Sequence, residues 1–304
     1  MQPFNSYFDL YIKYLTMHNI HIFFKNFVTL IILHLLISAI LEAGDSAYVN
    51  KSMVYSIGYS NFRILDRQAS PLIYSSASIP VEIGFQKYTD KSIFSINLIL
   101  VPGLMHTKRF KTREVIYSEM DNDGNESDVT VNLKNLPIGL FEINSEYFVK
   151  TGSYFNKKIL WYTGGQLQEY MVYSISLAPL YFNQLSLNPK TYIQYRVNDK
   201  SLFSSTLSFL LFSLITRMPY SRDPYTDKGS YFISFFEQGT EFETLNHYQR
   251  LDFTLTAQTR LSKHWWGGLA YQFCWYHHSE KMGLKAYSNS IQIQFTRTFT
   301  SKAN

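Results

Sequence analysis

The chain has 304 residues, of which 46% are hydrophobic, 17% aromatic and 17% charged, with a net charge of +5 and one cysteine. The charged share lies below the roughly 25% of ordinary soluble domains, while a mean hydropathy slightly below zero excludes a bundle of apolar membrane helices. Lys and Arg are scattered rather than clustered, so nucleic acid is not an expected partner, and Cys274 alone can form neither an intramolecular disulfide nor a cysteine-based zinc site.

In chain order, the first feature is the long apolar run Phe27 to Ala39, preceded by Lys25 and followed by Ala43, Gly44 and Ser46. It is shorter than the about 20 residues that a spanning helix needs, and its flanks predict a helical signal peptide over residues 1–43, with residues 1–16 as an upstream extension; the alternative is a retained anchor helix, which would have to run from Phe23 to Leu41 with Lys25 inside. After residue 44 no segment shows a convincing helical period. Runs of about ten residues recur instead, the length of a tilted strand crossing a bilayer. Met53, Tyr55, Ile57 and Tyr59 alternate with Val54, Ser56, Gly58 and Ser60, and Val81, Ile83 and Phe85 alternate with Glu82, Gly84 and Gln86. A tight turn at 88–91 leads to Phe94, Ile96, Leu98 and Leu100. Residues 102–135 are charged and aperiodic, predicting a long loop with a short strand at 129–133.

Phe141, Ile143, Tyr147 and Val149 then oppose Glu142, Asn144 and Glu146, followed by weaker strands at 159–165 and 171–178. Tyr192, Gln194, Arg196 and Asn198 alternate with Ile193, Tyr195 and Val197, and a short link at 198–200 leads to Phe203, Leu207, Phe209 and Leu211. A second long loop is expected at 216–229, then a strand at 231–242. The clearest pattern sets Leu251, Phe253, Leu255 and Ala257 against Arg250, Asp252, Thr254, Thr256, Gln258 and Arg260. After a short turn at 261–264, Trp265, Leu269, Tyr271, Phe273 and Trp275 share a face, and a third loop, 277–285, reaches the last strand.

That strand, Tyr287 to Phe299, alternates Ile291, Ile293, Phe295 and Phe299 with Gln292, Gln294, Thr296 and Thr298. A chain that finishes on an alternating, aromatic-ended strand resembles the outer-membrane β-barrels of Gram-negative bacteria, although five residues follow Phe299 here. The resemblance implies an all-β fold: a single antiparallel transmembrane β-barrel of about twelve strands, in a range of about ten to fourteen, with long outer loops. The expected organisation is a signal peptide at 1–43, a short periplasmic lead at 44–51, the barrel at 52–299 and a tail at 300–304. It also implies residence in the outer membrane among its lipids, and recognition of the last strand by the barrel-assembly machinery. Aromatics near strand ends, such as Tyr55, Tyr59, Tyr147, Tyr195, Trp265, Trp275 and Tyr287, fit the headgroup level of a membrane. Glu82, Glu142, Glu146, Arg196, Arg250, Asp252 and Arg260 occupy the polar phase and are the expected lumen-facing residues. Arg297 falls on the apolar phase, from which its long stem can reach the headgroups.

No cofactor motif is present, and no metal site is expected. Asp121, Asp123, Asn125 and Ser127 have the alternation of a calcium loop, but glycine falls at the fourth position and Asn132 at the twelfth, so the stretch reads as a solvated turn. The run His277, His278, Ser279 is weighed as part of a catalytic site, but neighbours on a strand point to opposite faces and cannot pair as base and nucleophile. No enzymatic activity is therefore expected. Residues 216–229 read as a surface loop with proline-set turns; folded inward, they would form a constriction. The leading expectation is a small channel or transport barrel for small solutes. The alternatives are a lipid-hydrolysing barrel, a structural or adhesive barrel with a filled lumen, and a soluble secreted sandwich.

Overall fold

The computed structural model describes residues 50–67, 72–107, 113–120, 126–133, 136–174, 180–217, 239–280 and 283–300. The expected signal peptide and the tail after residue 300 lie outside the described residues. In chain order the strands are β1 (Asn50–Asp66), β2 (Ile73–Ser78), β3 (Val81–Tyr88), β4 (Ser92–Thr107), β5 (Arg113–Met120), β6 (Glu126–Leu133), β7 (Leu136–Tyr154), β8 (Ile159–Ser174), β9 (Leu180–Asn198), β10 (Ser201–Phe209), β11 (Phe212–Arg217), β12 (Thr240–Thr244), β13 (Tyr248–Arg260), β14 (Trp265–His278) and β15 (Leu284–Thr300).

Two bodies are described separately. One holds β5 and β6, which form a two-stranded sheet. The strand expected at 129–133 belongs to β6, whereas residues 121–125 of the calcium-like stretch lie outside the described residues.

The other body is a 13-stranded antiparallel sheet that closes on itself, because β15 pairs with β1 from Asn50↔Thr300 to Asp66↔Leu284. Three pairs of its strands, β2 with β3, β10 with β11, and β12 with β13, are consecutive pieces of one staggered strand, so the ring has 10 members. The β2–β3 break falls at Pro80, which has no N–H to give to the ladder; its carbonyl still accepts from Gly58 N at 3.1 Å. Between β10 and β11, Leu210 N donates to Arg250 O and Leu211 N to Leu187 O, a local jog that leaves both Leu211 and Phe212 facing outward.

Ten lies at the lower end of the expected range, for two reasons. The strands expected at 159–165 and 171–178 are one strand, β8, and β12, which overlaps the end of the expected 231–242 strand, forms one ring member with β13. With ten members, short and long links alternate around the ring. The short links, at 89–91, 155–158, 199–200 and 261–264, share the end that holds Asn50 and Thr300. The link at 155–158 places Phe155, Asn156 and Lys157 in left-handed backbone, with φ of 50°, 53° and 66°.

The alternation in sequence becomes a sidedness of the wall. Ile57, Ile83, Leu255, Leu269, Ile291 and Ile293 are exposed on the outer face, while Ser52, Ser56 and Ser60 of β1 and Gln292 and Thr296 of β15 are buried inside. A water-soluble sandwich would turn the apolar set inward against a second sheet. Here every strand of the ring finds its partners within the ring, which satisfies the backbone without water and leaves the greasy side for acyl chains. Arg297, the discordant charge, lies near the short-turn end with its guanidinium over the rings of Phe299, 5.1 Å, and Trp265, 5.8 Å.

Candidate functional site

The interior is layered. Nearest the short turns, Ile93, Phe148 and Tyr162 pack with Tyr88, Leu160 and Tyr192. In the middle the inward residues are small or polar. They include Ser60 on β1, Ser95 on β4, Ser204 and Thr206 on β10, Thr254 and Thr256 on β13, and Ser290 on β15, and they leave a chamber of about 220 Å³. Above it comes an aromatic layer of Phe62, Tyr170, Phe182, Tyr248 and Tyr276, in which the Phe182 and Tyr276 rings stack at 5.5 Å. An eight-stranded barrel is just wide enough to be filled by side chains. A ten-stranded one is wider, so bulky residues close it and small ones leave space.

Four carboxylates, Glu82, Glu142, Glu146 and Asp252, line the chamber, together with the ammonium of Lys190. Glu146 pairs with Lys190 and accepts from Ser95 Oγ at 2.8 Å. Arg250 grips Asp252 in two-pronged fashion, Nε to Oδ2 at 2.8 Å and Nη2 to Oδ1 at 3.1 Å, and approaches Glu142 at 3.6 Å. Its guanidinium also lies 4.3 Å from the centre of the Tyr170 ring, and its Nη1 donates to Gln184 Oε1 at 3.1 Å. Glu142 accepts from Gln168 Nε2 at 2.9 Å. Glu82 is buried and has neutral donors, Ser56 Oγ at 3.1 Å and Gln272 Nε2 at 3.4 Å.

Of the seven residues expected in the lumen, the fold thus gathers Glu82, Glu142, Glu146, Arg250 and Asp252 around one space. Arg196 and Arg260 do not join them. Both are exposed at the short-turn end, and Arg260 donates to the carbonyls of Ser262 and Lys263 in its own turn. They sit at the short-turn ends of β9 and β13, beyond the level of the chamber.

Lys190 and Gln184 were not singled out by the sequence, although a signal exists: the polar phase of Tyr192 and Gln194 extends back through Lys190, Asn188, Ser186 and Gln184. A second charged group above the aromatic layer has no such signal. Arg217, expected in a surface loop, is instead the last residue of β11, with its side chain buried against Asp66 and its Nη1 3.2 Å from His278 Nδ1. His278 Nε2 lies 3.3 Å from Glu243 Oε1. Ser279 Oγ donates to the carbonyl of His247 at 3.1 Å rather than approaching His278. The remainder of the expected loop, 218–229, lies outside the described residues. On the outer face of β8, Glu169 accepts from Asn183 Nδ2 at 2.7 Å, a polar pair amid the lipid-facing phase.

A closed antiparallel ring, apolar outside and polar within, defines a transmembrane β-barrel. No family model and no curated protein matches the chain. Solved structures similar to it include the outer membrane protease OmpT from Escherichia coli, at 10% identity and a TM-score of 0.38, covering 85% of this chain and 99% of that one. An outer membrane channel from Pseudomonas putida F1 is also 10% identical, with a TM-score of 0.38 and coverage of 85% and 97%. The outer membrane protein OprG from Pseudomonas aeruginosa is 8% identical, with a TM-score of 0.33 and coverage of 85% and 99%.

Proposed function

We propose that the protein is an outer-membrane β-barrel that passes small solutes, with the chamber as part of the route and the aromatic layer as its closure. The observation that carries this reading is the chamber itself, a space of about 220 Å³ at mid-barrel, lined by polar and apolar side chains alike, where a purely structural barrel would be packed through. Alternation up to Phe299 supports the outer membrane as the location, and the closing strand is the segment that assembly machinery would read. The rival reading, a structural barrel with a filled lumen, is favoured by the aromatic layer, in which Phe182, Tyr248 and Tyr276 are fully buried.

Conductance across planar bilayers separates the two. The native chain should conduct weakly, and Phe182→Ala with Tyr276→Ala should raise the unit conductance several-fold. A double variant that inserts, folds and remains electrically silent would make the barrel a structural one.

A further inference from the structure

We propose that the chamber binds a small organic cation carrying several N–H donors, an alkylammonium compound of a few carbons. The proposal rests on the passage reading for its purpose, while its chemistry comes from the chamber wall.

The first element is charge. Four carboxylates line the space, and the two cations within reach are committed: Lys190 to Glu146, and Arg250 to Asp252 and Glu142. Glu82 holds its buried carboxylate on a hydroxyl and an amide. A buried carboxylate without a countercharge is costly, and an incoming cation relieves that cost.

The second element is a set of waiting acceptors. Gln166 is 2% exposed, and its Oε1 is buried without a hydrogen-bond partner; Asn97 Oδ1 is likewise unpartnered, and both residues line the chamber. Gln166 cannot simply be turned round, because its Nε2 donates to Asn144 Oδ1 at 2.7 Å. Asn97 Oδ1 occupies room that exists because residue 84 is glycine: a Cβ there would lie 2.1 Å from it. Buried acceptors normally find donors, so the wall presents oxygen to a guest that must bring hydrogen.

The third element selects among cations. A bare metal ion needs several ligand atoms within a few ångströms of one another. Among the described residues, the groupings that compact are Glu241, Glu243 and His278, and Glu243, His247 and Glu280. Both lie outside the chamber, whose carboxylates are more widely spread. A space of about 220 Å³ is several times what a single water or a bare ion fills, and leaves room for a guest of a few carbons. Tyr88, Tyr192 and Phe148 line one end, where methylene groups can pack, and Tyr170, whose ring already carries the Arg250 guanidinium, lines the other.

Calorimetric titration of the full chain folded in detergent tests this, with 1,4-diaminobutane as probe and 1-butanol and butyrate as neutral and anionic controls. The diamine should bind one to one and the controls should not. Glu82→Gln should weaken the diamine at least tenfold, and Asn97→Asp should tighten it several-fold, both variants being checked as folded by their heat-modifiable mobility on gels. Butyrate binding as well as the diamine, or diamine affinity indifferent to both folded variants, overturns the proposal. Conductance of the same preparation keeps the two readings apart. Diamine binding in a barrel that passes no current even when its aromatic layer is trimmed upholds this inference and removes passage, whereas a conducting barrel with no affinity for the diamine removes this inference alone.

Discussion

Leu255 and Thr254 are neighbours in β13 with opposite surroundings, so one substitution at each position tests the sidedness of the wall. Leu255 is 46% exposed on the outer face, opposite Ser205 of β10 and Tyr271 of β14. It lies five residues before the strand ends at Arg260. At ~3.3 Å per residue and a tilt of ~45°, that places it about 12 Å above the short-turn end, near the middle of an apolar band of about 25 Å. Arginine on the lipid face at mid-depth costs about 2–4 kcal/mol. With about 1.4 kcal/mol for each factor of ten, Leu255→Arg should lower the folding equilibrium constant roughly 30- to 1,000-fold. Thr254 points into the chamber, where space and carboxylates are available, so Thr254→Arg should cost less than about 1 kcal/mol. Reversible urea unfolding in lipid vesicles measures both. Equal losses at the two positions, or a larger loss at Thr254, would refute the assignment of faces.

Arg250→Met strands the half-buried Asp252 and Glu142 without their countercharge and should destabilise the barrel by about 1–3 kcal/mol in the same unfolding assay, with much of the loss recovered by adding Asp252→Asn. Gly164→Val should block assembly, because even a Cβ at that inward position would meet the Tyr147 carbonyl oxygen at 1.9 Å; loss of the heat-modifiable gel band reports it. Lys157→Gly should stabilise the barrel by up to about 1 kcal/mol, since it frees one of three left-handed residues in the 155–158 turn; a lowered urea midpoint would count against strain there.

The sidedness of each strand was legible because the period of two is a local property: Ile291 and Gln292 declare their faces without reference to any other strand. The number of strands was less so. A strand of the ring can lose its pattern part-way, as β8 does where Gly164 and Gly165 adjoin, or be interrupted at Pro80 without ceasing to be one strand. The first effect makes a single strand look like two, whereas the break at Pro80 left residues 73–78 without an expected strand. Arg196 and Arg260 show a further limit, since phase says which way a side chain points and nothing about whether the chamber extends to that level.

Partners across the interior are a different kind of quantity. Arg217 meets Asp66 at a separation of 151 residues, and Arg250 meets Gln184 at 66. These pairings depend on closure, on the number of ring members and on stagger, none of which is written in any one strand. Once ten members are closed, however, the radius is set, and residue size alone decides what each level becomes. Where β1, β4, β10, β13 and β15 turn serine and threonine inward there is space; where β8, β9, β13 and β14 turn Tyr170, Phe182, Tyr248 and Tyr276 inward there is none. The chamber and its closure are therefore two outcomes of the same rule at successive heights. The acids gathered at the open level are the feature for which packing offers no reason, because serine or glutamine would fill Glu82's place without a buried charge. A function that uses charge supplies that reason.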